Sequence, residues 1–239
     1  MRSIAKGPVP GALIQWKADN AATPQNLNYE GGGFPREAVR QALLAEQFHL
    51  CAYTMRRLRT AAECTATGAD TAASCHVEHL LPQARGIAAE SIDYQNMLAC
   101  FPPSQSKAAC EYGAHAKKNY DPANQPFVSP LRPNAEQHFT FDDGAVVATS
   151  SAGEATVKVL NLNHKILVDD RRATIRGWLY PKQGKPVSAA MARRIAQAVT
   201  SPDAHGYLPA YCAAVAAAAM AHAERAERRA ARLKGKGAP

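Results

Sequence analysis

The chain has 239 residues, 46% of them hydrophobic, with a formal net charge of +8 and a pI near 9.3. This composition fits a packed protein and excludes wholesale disorder, and the absence of any apolar run of about 18 residues excludes a membrane-spanning helix. The basic excess favours a polyanionic partner such as nucleic acid.

In chain order, residues 1–35 are rich in Pro, Gly, Asn and Gln and read as an extended arm wrapped on a core. No apolar leader is visible at the start, so a cytoplasmic location is expected. The six cysteines are then expected as thiols or metal ligands. Apolar spacing in "REAVRQALLAEQFHL" predicts a helix over 36–50. Small residues over 60–74 predict a loop, "CHVEH" a strand over 75–79, and 82–92 another loop. "DYQNMLACF" (93–101) suits a short helix, and 104–122 a second helical piece ending before Pro122. "HFTFDDGAVVAT" reads as a hairpin around Asp-Gly. Ser151 and Glu154 stand at capping-box spacing for a helix, which resumes after Asn161-Leu162-Asn163 as "HKILVDDRRATIRGWLY". Ser188 can cap the next helix, and an alanine-rich helix over 207–233 turns basic. Residues 224–239 hold six Lys/Arg and two Glu, which is either a solvated helix end or a phosphate-contacting arm. No repeat period is present, so a solenoid is excluded. The expected fold class is α+β and mainly helical, divided into an arm (1–35), a core (36–121), a helical accessory region with the hairpin (122–223) and a basic tail (224–239).

The densest chemistry lies in "SCHVEHLLPQ", residues 74–83. Hydrolysing a phosphodiester calls for a divalent cation at the phosphate, a base for water, and something that holds the base. Glu78 and His79 supply a ligand and a base side by side. On a strand they face opposite ways, but at the strand's end, before Pro82, both can converge on one pocket. The base must be neutral, so activity is expected to fall at acid pH. His115 is the best further ligand, because Lys117 and Lys118 follow it and can meet phosphate. Asn96 can tie the intervening loop to the base through its amide. Lys107, Lys117 and Lys118 are either a solvated face or backbone-holding cations.

Taken in order, "LLAEQFHLCAYT", "HVEHLLPQ", "DYQNMLAC", "CEYGAHAKKN", "TVKVLNLN" and "LVDDRR" resemble an HNH nuclease family. The nearest likeness is to the PtuB-like HNH endonucleases of Septu-type and retron-linked anti-phage systems, over most of residues 1–175. The resemblance implies a ββα-metal (His-Me finger) core in residues 36–121. It implies Glu78 as metal ligand, His79 as general base and Asn96 as the residue that orients loop and base. His115, with Lys118 at the H-x-x-K spacing, would complete the metal site. His76 shares a strand face with Glu78 and is either a further ligand or a strand hydrogen-bonder. The implied cofactor is Mg²⁺ or another divalent cation. The implied partners are nucleic acid, DNA or RNA, and an ABC/SMC-like ATPase, which residues 122–223 would bind.

The chain departs from that pattern at the cysteine knuckles. Thr54 stands where a second cysteine would follow Cys51, and Ala114 precedes His115. A structural zinc is therefore expected to be lost, the alternative being a site built on Cys51, Cys100 and Cys110. A competing function follows from the same loss: a nucleic-acid-binding or assembly subunit on an HNH core that no longer cuts.

Overall fold

A two-stranded sheet is marginal by itself, and the first sheet of this protein is completed by a side chain. The computed structural model describes residues 1–68, 74–103, 106, 110–181 and 184–235. Strand β1 (His76–His79) pairs antiparallel with β2 (Met97–Cys100), His76 opposite Cys100 and His79 opposite Met97. Beside β2 packs helix α2 (Arg36–Glu46), through Val39, Leu43 and Leu44. Just past its end, the buried Gln47 amide accepts from the Ala99 N–H and donates to the carbonyls of Ala99 and Leu50, all at 2.8 Å. The Ala52 N–H also reaches the Ala99 carbonyl. One amide and a short chain segment thus do the work of a third strand.

The short helix expected over 93–101 is instead a 3-10 turn, Tyr94–Asn96, followed by β2. All four β2 residues are buried, so their apolar run carries no alternation to betray a strand. β1 does alternate. His76 and Glu78 share the more open face, and Val77 and His79 are buried on the other.

Residues 1–35 are not wholly extended. Helix α1 (Gly11–Asp19) follows Pro10 and buries Leu13 and Trp16, three positions apart on one face. They join Met1, Ile4 and Phe34 in the same core as α2, β1 and β2. Part of the loop expected over 60–74 is helix α3 (Ala61–Ala66), whose capping box is Thr60 with Glu63, while 69–73 lie outside the described residues. The loop expected over 82–92 contains one turn, α4 (Ala88–Ser91). Of the helical piece expected over 104–122, one turn forms, α5 (Ala114–Lys117), bounded by Gly113 and Lys118 at positive φ (65° and 49°). Residues 104–105 and 107–109, Lys107 among them, lie outside the described residues, as do 236–239 of the basic tail.

The expected hairpin forms from β3 (Phe139–Asp142) and β4 (Ala145–Ala148). Asp143 and Gly144 both have positive φ, 41° and 83°, the turn that suits strand twist. Helix α6 (Ser151–Val159) is capped by Ser150, whose Oγ accepts from the Gly153 N–H, one residue before the expected cap. Helices α7 (Lys165–Leu179), α8 (Ala189–Ala198, capped by Ser188) and α9 (Cys212–Gly235) bury Leu179, Ile195, Val199 and Val215 in a second cluster, which Leu50 joins. Arg171 is buried between the two halves of this region. It donates to the carbonyls of Gly144 (2.6 Å) and Leu162. Beside it, the Asn163 amide accepts from the Val146 N–H (2.7 Å) and donates to the Val146 carbonyl (2.9 Å).

The fold is therefore α+β: helices around two small antiparallel sheets. Among the described residues, no helix is long and apolar enough to cross a membrane.

Gln47→Leu keeps the volume but strands the Ala99 N–H and two carbonyl partners in the core. It is expected to lower the unfolding free energy by about 2–4 kcal/mol, measured by urea denaturation. A loss below about 1 kcal/mol would remove Gln47 from its structural role.

Candidate functional site

Alternation along β1 separates two sets of side chains. On the open face, His76 Nε2 lies 3.8 Å from Glu78 Oε2. The His115 ring, carried by α5, stands 5.7 Å from the His76 ring, centroid to centroid. The His76 Nδ1 position is fixed by the Pro102 carbonyl at 2.5 Å, so Nε2 is the nitrogen turned toward Glu78. Burial works against the protonated His76, but the hydrogen bonds from Glu78 and Pro102 outweigh it and hold its pKa above the usual value. His115 goes the other way: burial and the neighbouring His76 lower it, leaving an exposed imidazole that favours the neutral form.

Beneath Glu78 sits Lys117, its side chain 1% exposed. Nζ is 3.0 Å from Glu78 Oε1 and donates to the His79 carbonyl at 3.0 Å. No well-aligned hydrogen bond reaches Oε1, so the contact with Lys117 is an ion pair off the hydrogen-bond axis. Tyr53 is a further buried neighbour of Glu78. Its buried hydroxyl lies against Glu78, and burial first, then the Glu78 charge, push its pKa far up. Lys117, expected at the surface to meet phosphate, is thus corrected to an internal counter-ion. The physical reason is that the α5 turn points it under β1, where Glu78 needs a partner. Lys118, the next residue, is exposed.

His79 occupies the buried face, 6% exposed. Its Nε2 meets the Ser91 carbonyl at 2.9 Å and its Nδ1 meets Gln83 at 3.0 Å, while Tyr29 packs edge-on against the ring at 4.7 Å. Burial lowers its pKa, against the opposing pull of Ser91. The structure brings His76, Glu78 and His115 together. The His79 ring lies on the opposite, buried face of β1, with Glu78, His76 and Lys117 within electrostatic reach of it.

Asn96 holds the loop between β1 and β2. Its Oδ1 accepts from the Leu81 N–H (2.7 Å), and its Nδ2 donates to the carbonyls of Leu81 (3.1 Å) and Glu90 (3.0 Å). The loop that carries Ser91 and Gln83 to His79 is thereby fixed through one amide. A second asparagine, Asn161 in "LNLN", donates to the Glu111 carbonyl (2.9 Å), and the Gly113 N–H donates to the Leu160 carbonyl (2.8 Å). These bonds hold the entry to α5, and so His115, from the second half of the chain. Gln83, Tyr29 and Tyr53 were not singled out by sequence reasoning. Gln83 and Tyr53 lie in the quoted "HVEHLLPQ" and "LLAEQFHLCAYT", which were the available signals; Tyr29 lies in none of the ordered motifs.

The cysteines divide. Cys51 and Cys100 are buried and share a hydrogen bond. Burial raises Cys51, but bonds from Cys100, Thr54 and the Phe101 N–H outweigh it and bring the thiol down, while burial and the neighbouring Cys51 push Cys100 up. Cys110 turns elsewhere, its thiol 3.4 Å from the Tyr112 carbonyl. Cys64 and Cys75 are buried free thiols.

One carboxylate with two imidazoles is donor chemistry that suits a divalent cation. At Glu78 Oε1 such an ion would share the carboxylate with Lys117, whose Nζ stands 3.0 Å away. Among the described residues, however, no three His, Cys, Asp or Glu side chains are gathered tightly enough to hold a metal as they stand.

No protein-family model matches the chain, and no curated protein matches it. The family likeness therefore rests on the ordered motifs alone.

Lys117→Met is expected to cost about 3 kcal/mol of stability, because it leaves Glu78 buried without its counter-ion. Adding Glu78→Gln should return more than half of that loss, read in a double-mutant cycle by chemical denaturation. Simple additivity of the two changes would mean that the pair is not coupled. For Asn96→Ala, the amide of Leu81 should lose its protection in hydrogen exchange. Unchanged protection there would mean that Asn96 does not hold the loop.

Proposed function

We propose that the chain is a metal-dependent endonuclease that hydrolyses phosphodiester bonds of nucleic acid, built on an HNH core over residues 36–121. The observation that supports this best is the succession β1, β2, α5, which gathers Glu78, His76 and His115 on one face while Asn96 fixes the loop between the strands. Chain order and residue types agree with the HNH resemblance. A divalent cation, Mg²⁺ in the cell, would be held by Glu78 with His76 and His115, and when bound it would supply charge neutralisation at the scissile phosphate. Lys117 pairs with Glu78 and positions it. Lys118, exposed one residue beyond, is free to meet the phosphate backbone.

The proton acceptor is His79 by the family resemblance, with its tautomer set by the Ser91 carbonyl and its Nδ1 reached once Gln83 yields. His115 is the competing base, since it is exposed, held toward neutrality and already beside His76 and Glu78. The wider setting follows from the same resemblance: a cytoplasmic effector of anti-phage defence, working with an ABC/SMC-like ATPase bound through residues 122–223.

A second reading is favoured by one observation. Lys117 already neutralises Glu78, as expected of a core that binds nucleic acid, or serves in assembly, without cutting it.

The deciding assay offers plasmid, single-stranded DNA and tRNA to the protein with Mg²⁺ or Mn²⁺. Cleavage is expected from the wild type, and a fall of at least about 100-fold for Glu78→Gln. His79→Gln and His115→Gln, each checked for folding by circular dichroism, identify the base as the one whose loss costs more. Salt-dependent binding without cleavage on any of the three substrates would overturn the enzyme reading and leave the second.

A further inference from the structure

A cavity lies away from Glu78, His76 and His115, in the seam between α7 and α9. It is a groove of about 910 Å³ closed at one end by the β3–β4 turn. One face of α7 supplies Arg172, Ile175, Arg176 and Leu179, spaced at three and four residues. One face of α9 supplies Ala218, Ala221 and Arg225. The two alanines leave room in the seam, with Arg225 one turn further along the same helix. Phe141 and Tyr180 add aromatic surface, and Tyr180 is 42% exposed.

The charges in the groove are not all spent. Arg172 is paired with Asp143 (3.0 Å) and Asp169 (3.2 Å). Arg176 and Arg225 are exposed and, among the described residues, have no ion-pair partner. Asp142, in the β3–β4 turn region of the lining, is exposed and, among the described residues, likewise without an ion-pair partner. An apolar and aromatic floor therefore lies between two free guanidiniums and one free carboxylate.

We infer that this groove binds a nucleotide. A base would stack on Tyr180 or Phe141, its phosphates would meet Arg176 and Arg225, and Asp142 would accept from a sugar hydroxyl or an exocyclic amino group. Each part uses ordinary recognition chemistry. Guanidiniums grip phosphate in a bidentate fork, bases stack on aromatic faces whatever their sequence, and pockets of this size, mostly apolar with a few placed polar groups, hold small ligands. The unit could arrive as a free nucleotide or as part of a single strand. Both present the same base, sugar and phosphate. The inference is independent of the nuclease reading, since none of Glu78, His76 or His115 lines the groove.

Calorimetric titration of the full chain in EDTA tests it, with ATP and a short oligothymidylate as probes and tripolyphosphate as the charge control. At least one of the two probes is expected to bind, and to bind more tightly than tripolyphosphate. The double variant Arg176→Ala/Arg225→Ala should weaken it by about tenfold or more. Tyr180→Ala should weaken it while leaving tripolyphosphate binding alone. Tighter ATP identifies a free nucleotide as the source, and tighter oligothymidylate a strand. The inference falls if neither probe binds, if tripolyphosphate binds as well as either, or if the double arginine variant binds like the wild type.

Discussion

The amide of Gln47 is the constraint on which the candidate site depends. Two four-residue strands cannot hold β1 at a fixed height, because a two-stranded sheet leaves an entire edge of backbone without partners. Gln47 answers that edge at Ala99 in both directions and ties it to Leu50, four residues past the end of α2. With β2 anchored, the register of β1 follows, and the alternation of β1 decides which way His76, Glu78 and His79 point. A slip of one residue would exchange the two faces. The chemistry of the site is in that sense inherited from a residue that takes no part in it.

A carboxylate buried under an open strand face carries a cost that must be offset locally. The protein offsets it with Lys117, whose ammonium is shared between Glu78 and the His79 carbonyl. That arrangement couples the two faces of β1. The charge beneath Glu78 is also bonded to the backbone of the residue whose ring lies on the far side. Any ion or ligand approaching Glu78 would act against an existing interaction, so affinity at this point is a difference between two partners for one carboxylate.

Much of this was legible in the residues. Helix α2, β1, the Asp143-Gly144 hairpin and helices α6 to α9 follow from apolar period, turn chemistry and caps that act within a few residues. The amide of Asn96 holds the loop between β1 and β2, in line with the expectation that it ties that loop down. What was not legible depends on distant partners. β2 reads as helix because burial on both faces erases its alternation. α1 is hidden by the Pro and Gly around it, and only the core that receives Leu13 and Trp16 makes it a helix. The burial of Lys117 cannot be seen from "HAKKN", where two lysines look alike until the turn sends one inward. The separation of His79 from Glu78 was visible in principle, since adjacent residues on a strand diverge. The expected convergence asked the chain to leave the strand earlier than it does.

Arg171 has a consequence for how the second half of the molecule comes apart. Its guanidinium joins the Gly144 turn, the Leu162 loop and its own helix, and among the described residues no carboxylate forms an ion pair with it. Releasing any one of these three segments would strand a cation in an apolar interior, so none can open alone at small cost. The hairpin, the asparagine loop and α7 should accordingly melt as a single cooperative unit, with one shared rate of opening in place of three.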